Sequence, residues 1–300
     1  MRIGLDVFGA ERFYGGDHRG VLDLAAEADR RGVDLITTSD HLGFSREAHE
    51  TRVRENGFPF ELEHPWLEPM SVLSAVAAVT ERVELGAYVL VAPLRPALLL
   101  AKQIATLDVL SRGRTRIGMG VGWQEAEYRA AGVPFERRFG RLEETVAACR
   151  ELWGAPPASF TGTGFEFSDF HSLPRPVQAR VPVIFGMAPS KSNFDRIARV
   201  GDGWTVAPAD LPRLEESIEL LRNCFAEHDR DPDSAEVQIM LPTIDDGSGG
   251  VDFDAMTASA KVAQKSGVDT VLVRPSALPI GADDLDAFLE WATKLRGDRV

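Results

Sequence analysis

The stretch PALLLAKQIATLDVLSRGRTRIGMGVGWQEAEY, residues 96–128, contains a complete helix followed at once by a strand. Leu100, Ile104 and Leu107 recur at helical spacing with polar residues between them, which predicts an amphipathic helix packed on a sheet. Residues 115–122 then alternate at period two, which is typical of a strand. A helix that leads directly into a strand is the repeating unit of a parallel sheet.

One face of this strand carries only glycine. Gly118, Gly120 and Gly122 occupy it, while the alternate positions hold apolar side chains. Glycine weakens a strand interior, so three on one face predict one of two arrangements. Either the face packs very closely inside a barrel, or a flat ligand lies against bare backbone. Both interpretations are open at this point.

The rest of the chain repeats the same alternation of strands and helices. Strands are predicted at residues 3–8, 35–38, 83–91, 115–122, 181–185, 203–207, 237–241 and 270–273. Helices are predicted at residues 21–31, 70–79, 96–113, 141–153, 194–200, 214–225, 254–265 and 285–295. Eight strands, each followed by a helix, predict an α/β fold, a (β/α)8 TIM barrel, in one domain spanning residues 1–300.

Two connections are much longer than the others, at about residues 42–69 and 155–181. Connections of this length are usually binding loops or lids, or else variable surface insertions. We expect both to lie over the C-terminal face of the barrel, and FTGTGFEFSDF at 160–170 to form a small hairpin over its mouth. Their aromatic residues predict an apolar pocket: Phe44, Phe58, Phe60, Trp66, Phe160 and Phe165.

Composition excludes several classes of partner. The net charge of −13 argues against nucleic acid or an anionic membrane. No apolar run reaches the roughly 18 residues of a membrane span, and MRIGLDVFG reads as a first strand, so we expect a cytoplasmic protein. The six histidines are scattered and neither Cys149 nor Cys224 has metal-ligand spacing, which predicts no metal site and two buried thiols.

In a barrel of this kind the working face lies at the C-terminal ends of the strands. Asp40 and His41 follow the second strand, where they could supply an acceptor and a proton donor, or could simply fix the loop. Residues 185–192, FGMAPSKS, suit a phosphate seat at a helix N-terminus, or an ordinary cap at Ser190. No Rossmann, P-loop, nucleophile-elbow or HExxH motif is present.

Several segments resemble the luciferase-like monooxygenase family of flavin- and deazaflavin-dependent (β/α)8 barrels. They are SDHL at 39–42, LLLAKQIATLDVLSRGR at 98–114, GMGVGW with EAEY at 118–128, RFGRLEE at 138–144 and GDGW at 201–204. Within the family, the pair Asp40 and His41 is similar to that of the branch that uses the deazaflavin coenzyme F420. The resemblance covers most of the chain.

The resemblance implies roles for particular residues. Asp40 would contact the deazaflavin ring, and His41 would lie beside the hydride-accepting carbon or shuttle a proton. The segment Ala87, Tyr88 and Val89 aligns with a bulged, often cis, peptide that backs the ring. Other coenzyme contacts would come from Gly120, Val121 and Gly122 at the ring, and from Gly186, Met187 and Ser190 near the ribityl phosphate.

The substrate pocket would be formed by Trp123, Phe44 and Trp66. Members of this branch that oxidise sugar phosphates carry a glutamate where this chain has Trp123, so the sequence argues against a sugar-phosphate dehydrogenase. Trp123 would instead narrow the pocket, form its floor, or pack beneath a lid.

The resemblance implies an F420-dependent oxidoreductase that transfers a hydride between the deazaflavin and a small organic substrate. We also expect a homodimer on this basis. One alternative is an FMN-dependent monooxygenase that uses reduced flavin and dioxygen. A second is a non-catalytic barrel whose ring site is blocked by Trp123 or Tyr88. The substrate and the direction of hydride transfer stay open.

Overall fold

The computed structural model describes residues 1–58 and 60–296. The strands are β1 (Arg2–Asp6), β2 (Leu35–Thr38), β3 (Glu84–Ala87), β4 (Leu90–Val91), β5 (Ile117–Gly120), β6 (Ala158–Thr161), β7 (Glu166–Phe170), β8 (Val183–Gly186), β9 (Gly203–Val206), β10 (Glu236–Met240) and β11 (Thr270–Val273). The helices are α1 (Gly20–Arg30), α2 (Arg46–Asn56), α3 (Pro69–Val79), α4 (Ala97–Leu110), α5 (Glu125–Ala130), α6 (Arg138–Trp153), α7 (Lys191–Val200), α8 (Leu214–Glu227), α9 (Phe253–Lys265) and α10 (Leu285–Lys294). Within these ranges no helix has the length and apolar character needed to cross a membrane.

Nine parallel strands form a sheet in the order β3-β2-β1-β11-β10-β9-β8-β5-β4. The sheet closes on itself because the backbone N–H of Leu85 donates to the carbonyl of Arg114 (2.8 Å), and that of Arg116 donates back to Leu85 (2.9 Å). The short strands β3 and β4 together occupy one strand position of the barrel, so the closed sheet has eight strand positions. The predicted (β/α)8 barrel is therefore confirmed. That one domain spans residues 1–300 stays a prediction, and residues 297–300 lie outside the described ranges.

The third predicted strand is not continuous. It is divided into β3 and β4 by a cis peptide bond between Tyr88 and Val89, as the resemblance implied. The backbone N–H of Tyr88 donates to the carbonyl of Thr38 in the neighbouring strand (2.9 Å). The break therefore lies beside the end of β2, at the mouth of the barrel.

The glycine face of β5 is closely packed. A Cβ atom on Gly118 would lie 2.2 Å from the carbonyl oxygen of Ala87, so the neighbouring backbone already occupies that space. At Gly120 and Gly122 a Cβ atom would meet side-chain methyl groups at 2.6 and 2.7 Å. Close packing thus accounts for Gly118, and a ligand against bare backbone is wrong there. The other two glycines reach the cavity described below.

The first insertion contains a helix that the sequence pattern did not predict. The sequence of α2, REAHETRVREN, is almost entirely polar and has no apolar stripe from which a buried face could be read. Its ends are nevertheless well marked. The hydroxyl of Ser45 accepts the backbone N–H of Ala48 (3.2 Å), and Gly57 ends the helix at φ 62°, in the left-handed region.

The second insertion contains the predicted hairpin, formed by β6 and β7, but its predicted position over the barrel mouth is wrong. The β6 strand packs on α6, and the following segment is tied to α4: Lys102 Nζ donates to the carbonyl of Leu173 (2.6 Å), and the carboxylate of Asp108 accepts the backbone N–H of Val177 (2.7 Å). The alternating aromatic residues predict that a hairpin forms, but they do not predict that it packs on the outer surface of the barrel.

Cys149 and Cys224 are free and buried, as the sequence predicted. Burial raises the pKa of the Cys149 thiol to about 12 and that of Cys224 to about 11. Both thiols are therefore protonated, and so weakly nucleophilic, near neutral pH.

Candidate active site

A cavity of about 660 Å³ lies at the C-terminal ends of the barrel strands. It is bounded below by strand ends and above by the first insertion, which contributes Phe58 and Phe60 to its wall. Most of the predicted site residues line it: Asp40, His41, Trp66, Tyr88, Val89, Gly120, Val121, Gly122, Trp123, Gly186 and Met187. The rule that barrel sites lie at this face therefore brings together predicted residues from four strand ends, those of β2, β3, β5 and β8.

Three predicted site residues do not line this cavity. Ala87 is buried within β3. Phe44 lies behind the wall, where its ring packs on those of His41 (centroids 4.6 Å apart) and Trp123 (6.0 Å). Ser190 caps α7 by accepting the backbone N–H of Asn193 (3.3 Å), so the ordinary cap is present there. The notion that the second insertion contributes to the pocket is wrong, because Phe160 and Phe165 pack against each other in the hairpin instead.

The carboxylate of Asp40 is fully buried and holds a bidentate ion pair. Arg95 donates to both of its oxygens, at 2.6 and 3.0 Å, and the backbone N–H of Val91 donates to Oδ2 (2.8 Å). Arg95 also reaches Glu68 at the start of α3 (3.0 Å). These partners occupy the acceptor positions of Asp40, which therefore fixes β4 and the adjoining loop around the cavity.

The imidazole of His41 is held from both sides. Its Nδ1 lies 3.0 Å from Oε2 of Glu127, and the indole N–H of Trp123 donates to its Nε2 (3.2 Å). Because an indole nitrogen can only donate, Nε2 is the acceptor and Nδ1 carries the proton toward Glu127. The arrangement selects one tautomer of a neutral imidazole at the cavity wall.

Sequence reasoning gave Glu127 no role, although it lies in the quoted segment EAEY. The residue is 5% exposed, and its second oxygen accepts the backbone N–H of Leu42. No helical spacing points to it, because Trp123 lies before the N-cap of α5. Its partner belongs to a distant part of the chain, which the local pattern could not supply.

A second group that the sequence did not single out surrounds Arg274, which follows β11. Its Nε donates to the buried carboxylate of Asp6 (3.0 Å) and its Nη2 to the hydroxyl of Ser39 (2.6 Å). Thr37 also donates to Asp6 (2.8 Å). The carboxylate thus balances the charge of the guanidinium where it enters the cavity. Inspecting every strand end in turn would have found Arg274.

The back of the cavity carries the phenol of Tyr88. Its hydroxyl donates weakly to the carbonyl of Val206, at 3.4 Å. Burial raises the pKa of this phenol above 10.0. Tyr88 is therefore a neutral hydrogen-bond donor near neutral pH.

The sequence profile of a family described as luciferase-like monooxygenase matches residues 5–249. The chain belongs to the luciferase-like monooxygenase family. The barrel, the strand-end cavity and the segments quoted above are therefore those of a family member, as the sequence predicted.

Individual relatives differ in the coenzyme that they name. An uncharacterised protein of Mycobacterium tuberculosis is 36% identical over 235 residues, covering 77% of this chain and 80% of its own. An FMNH2-dependent dimethylsulfone monooxygenase of Pseudomonas putida is 35% identical over 191 residues, covering 63% of this chain and 51% of its own. A solved F420-dependent secondary alcohol dehydrogenase has a TM-score of 0.77 at 16% identity, over 97% of this chain and 98% of its own. The structural likeness supports the fold alone.

Proposed function

We propose that the protein is an F420-dependent oxidoreductase that exchanges a hydride with a small organic substrate in the strand-end cavity. The observation that carries this proposal is the placement of His41 at the cavity wall, fixed by Trp123 and Glu127. Reduction of a carbonyl by hydride also consumes a proton, and the reverse oxidation releases one. A positioned imidazole can serve either direction.

The cavity fits a planar ring system. Its floor has glycine at Gly120 and Gly186, where a Cβ atom would lie 2.6 to 3.1 Å from the methyl groups of Val89. A side chain at either glycine would therefore displace Val89, which itself lines the cavity. The residues that would hold the ring are Tyr88, Val89, Val121, Gly122, Gly186 and Met187. Ser190 and Asn193, in the first turn of α7, would lie toward the phosphate tail, where backbone N–H groups favour an anion.

When bound, the deazaflavin supplies the hydride chemistry, and the protein supplies position and proton transfer. Nε2 of His41 holds the lone pair that can accept a proton, and the imidazolium formed in this way can release it in the reverse direction. The carboxylate of Glu127 holds the imidazole through Nδ1–H and stabilises the positive charge that protonation creates. Asp40 acts through Arg95 and Val91 as a positioning residue, and it also lines the cavity in which the ring would lie.

The cavity walls support a catalytic protein over a non-catalytic one. Trp123 and Tyr88, the two residues that could block a ring, both line the space of about 660 Å³ without filling it. The aromatic rings of the first insertion, Phe58, Phe60 and Trp66, line the cavity and would lower the polarity around the reacting atoms.

The test is equilibrium binding of F420 and, separately, of FMN to the purified protein, followed by tryptophan fluorescence. Trp66 and Trp123 line the cavity and should be quenched by either ring. We expect F420 to bind about tenfold tighter or more, a difference of about 1.4 kcal/mol. Trp123→Phe should lose part of the quenching, whereas Trp291→Phe, on α10, should lose none of it. Binding of neither coenzyme would overturn the proposal and favour the non-catalytic barrel.

The second candidate is an FMN-dependent monooxygenase. It is favoured by the 35% identity to a relative that is named for FMNH2, since the F420-dependent neighbours share only 16 to 17% of their residues with this chain. A clear preference for FMN in the titration, followed by incorporation of labelled dioxygen into a product, would put this function first.

A further inference from the structure

Two arginines line the cavity, and they differ in how their charge is balanced. Arg274 is paired with the buried carboxylate of Asp6 at 3.0 Å. Arg52, on α2 of the first insertion, has no carboxylate within 4.0 Å among the residues that the structure describes. Its helix carries Glu47, Glu50 and Glu55, none of which lines the cavity. Glu47 and Glu55, together with Glu125, line a neighbouring pocket that Arg52 also borders, but none of them pairs with its guanidinium. Among the described residues, the substrate side of the cavity thus carries a guanidinium, that of Arg52, which forms no ion pair.

The guanidinium of Arg52 is placed by an aromatic ring. Its central carbon lies 4.9 Å from the ring centroid of Trp123. A guanidinium held over a ring face keeps the N–H groups in its own plane free to donate. Carboxylates and other oxyanions are the groups that accept from such a fork in a bidentate manner.

A second unsatisfied donor lies in the same wall. The indole N–H of Trp66 is buried and has no hydrogen-bond partner among the described residues. The ring of Phe58 joins the two sites, because it stacks parallel to Trp66 (centroids 6.4 Å apart, interplanar angle 6°) and lies 6.2 Å from Trp123. The described residues hold two further unpartnered atoms here, Nε2 of His64 behind Phe60 and Trp66, and Oγ1 of Thr205 in β9. Arg52 and the indole of Trp66 can only donate, so a ligand that satisfies these two groups must bring acceptors.

Among the described residues that line the cavity, the acidic group outside the pair of Asp40 and Arg95 and the pair of Asp6 and Arg274 lies across the barrel. Asp210 also lines the cavity, and it follows β9. In the closed ring of eight positions β9 is four places from β2, the strand from which the insertion with Arg52 begins. The acidic and basic groups therefore mark opposite sides, and an anion on the insertion side stays away from Asp210.

We propose that the substrate is a flat apolar or aromatic molecule that carries a carboxylate or similar oxyanion, which binds Arg52 and the indole N–H of Trp66. The apolar part packs between Phe58, Phe60 and Trp123. This assignment rests on the proposed function in one respect, namely that the coenzyme ring occupies the floor and leaves the insertion side to the substrate.

The coenzyme tail is another source of the same oxyanion chemistry. We assign Arg52 to the substrate because the tail is expected at the start of α7, near Met187 and Asn193, which follow β8. Arg52 belongs instead to the insertion after β2 and lies on Trp123. A titration that compares complete F420 with the deazaflavin nucleoside that lacks the phosphate tail separates the two sources.

The experiment measures binding of benzoate, phenylacetate and 2-naphthoate, and of their neutral amides, to the full-length protein by calorimetry, with and without saturating coenzyme. We expect at least one acid to bind about tenfold tighter than its amide, as a hydrogen-bonded charge should provide. Arg52→Met should bring the acid-to-amide ratio close to one, and Arg52→Lys should restore part of it. Arg54→Met is the matched control, because Arg54 is exposed on the same helix and donates to Thr51 on that helix.

Several outcomes would overturn this assignment. One is equal affinity for the acids and their amides. Another is an unchanged acid-to-amide affinity ratio in an Arg52→Met protein whose circular dichroism shows the native fold. A third is the absence of saturable binding by every probe. If Arg52→Met loses affinity for complete F420 but not for the nucleoside, Arg52 binds the phosphate tail of the coenzyme and not the substrate. A protein that prefers acids but binds FMN rather than F420 would sustain the anion site and overturn only the coenzyme proposal.

Discussion

Nδ1 of His41 lies 3.0 Å from Oε2 of Glu127, although 86 positions separate the two residues in sequence. The same carboxylate accepts the backbone N–H of Leu42, so it fixes both the imidazole and the chain that follows it. One buried acid thus joins the end of β2 to α5 and sets the tautomer of the residue that we propose to carry the proton.

This pair predicts a graded loss of turnover. His41→Ala should lower kcat by about a hundredfold or more, because general acid–base catalysis contributes at least that much. Glu127→Gln should lower kcat by less, since one amide oxygen can serve either His41 or Leu42 but not both. Steady-state kinetics with coenzyme and an accepted substrate measure both effects, and KM for the coenzyme should change little. Glu125→Gln, an exposed change on the same helix, should leave kcat intact. Normal turnover in His41→Ala would remove His41 from the mechanism.

Asp40 should matter for stability as well as for binding. Asp40→Asn leaves the buried guanidinium of Arg95 without its bidentate partner, so we expect the free energy of unfolding to fall by about 3 kcal/mol or more. Urea unfolding followed by circular dichroism measures this. Glu216→Gln breaks an exposed pair with Arg213 and should have little effect. Similar losses in both variants would contradict a structural role for Asp40.

The glycines of β5 and of α6 should respond to alanine in opposite directions. Gly118→Ala places a Cβ atom 2.2 Å from a backbone oxygen, so it should destabilise the barrel by about 1–3 kcal/mol. Gly140→Ala, in α6 with open space around it, should stabilise by about 0.5–1 kcal/mol through helix propensity. Thermal unfolding of the two variants gives the comparison. A Gly118→Ala protein as stable as the wild type would show that β5 does not need close packing.

Asp29 should contribute to the acid limit of stability. Burial alone would raise its pKa, but hydrogen bonds from the backbone N–H groups of Glu81, Val83 and Arg82 outweigh burial, and the pKa lies below 3.8. A carboxyl whose pKa is lower in the folded protein stabilises it fully above the unfolded value, and this contribution disappears as the pH falls through the folded value.

Asp29→Asn should therefore cost about 1–3 kcal/mol at neutral pH. The difference from the wild type should shrink as the pH falls below about 3.8. Urea unfolding at a series of pH values checks this, and a difference that stays constant down to the acid transition would contradict it.

Local patterns sufficed for the barrel and for much of the cavity. The period-two glycines after Thr115, the helix before them and the strand end at Asp40 and His41 report short-range geometry, because backbone periodicity and turn chemistry act within a few residues. Active sites of such barrels lie at the C-terminal ends of the strands, so residues that follow different strands can be predicted to share one site. The polar helix α2 escaped prediction, since its position depends on end caps and not on an apolar stripe.

By itself, the sequence determined the alternation of strands and helices, the closed barrel and the strand-end residues that face its mouth. Only the tertiary structure decided that Glu127 binds His41, that Asp40 forms an ion pair with Arg95, and that the second insertion packs on outer helices. These outcomes depend on pairs of side chains far apart in sequence, whose meeting is set by the closure of the sheet and the packing of the insertions. No local periodicity encodes which distant donor will satisfy a buried acceptor.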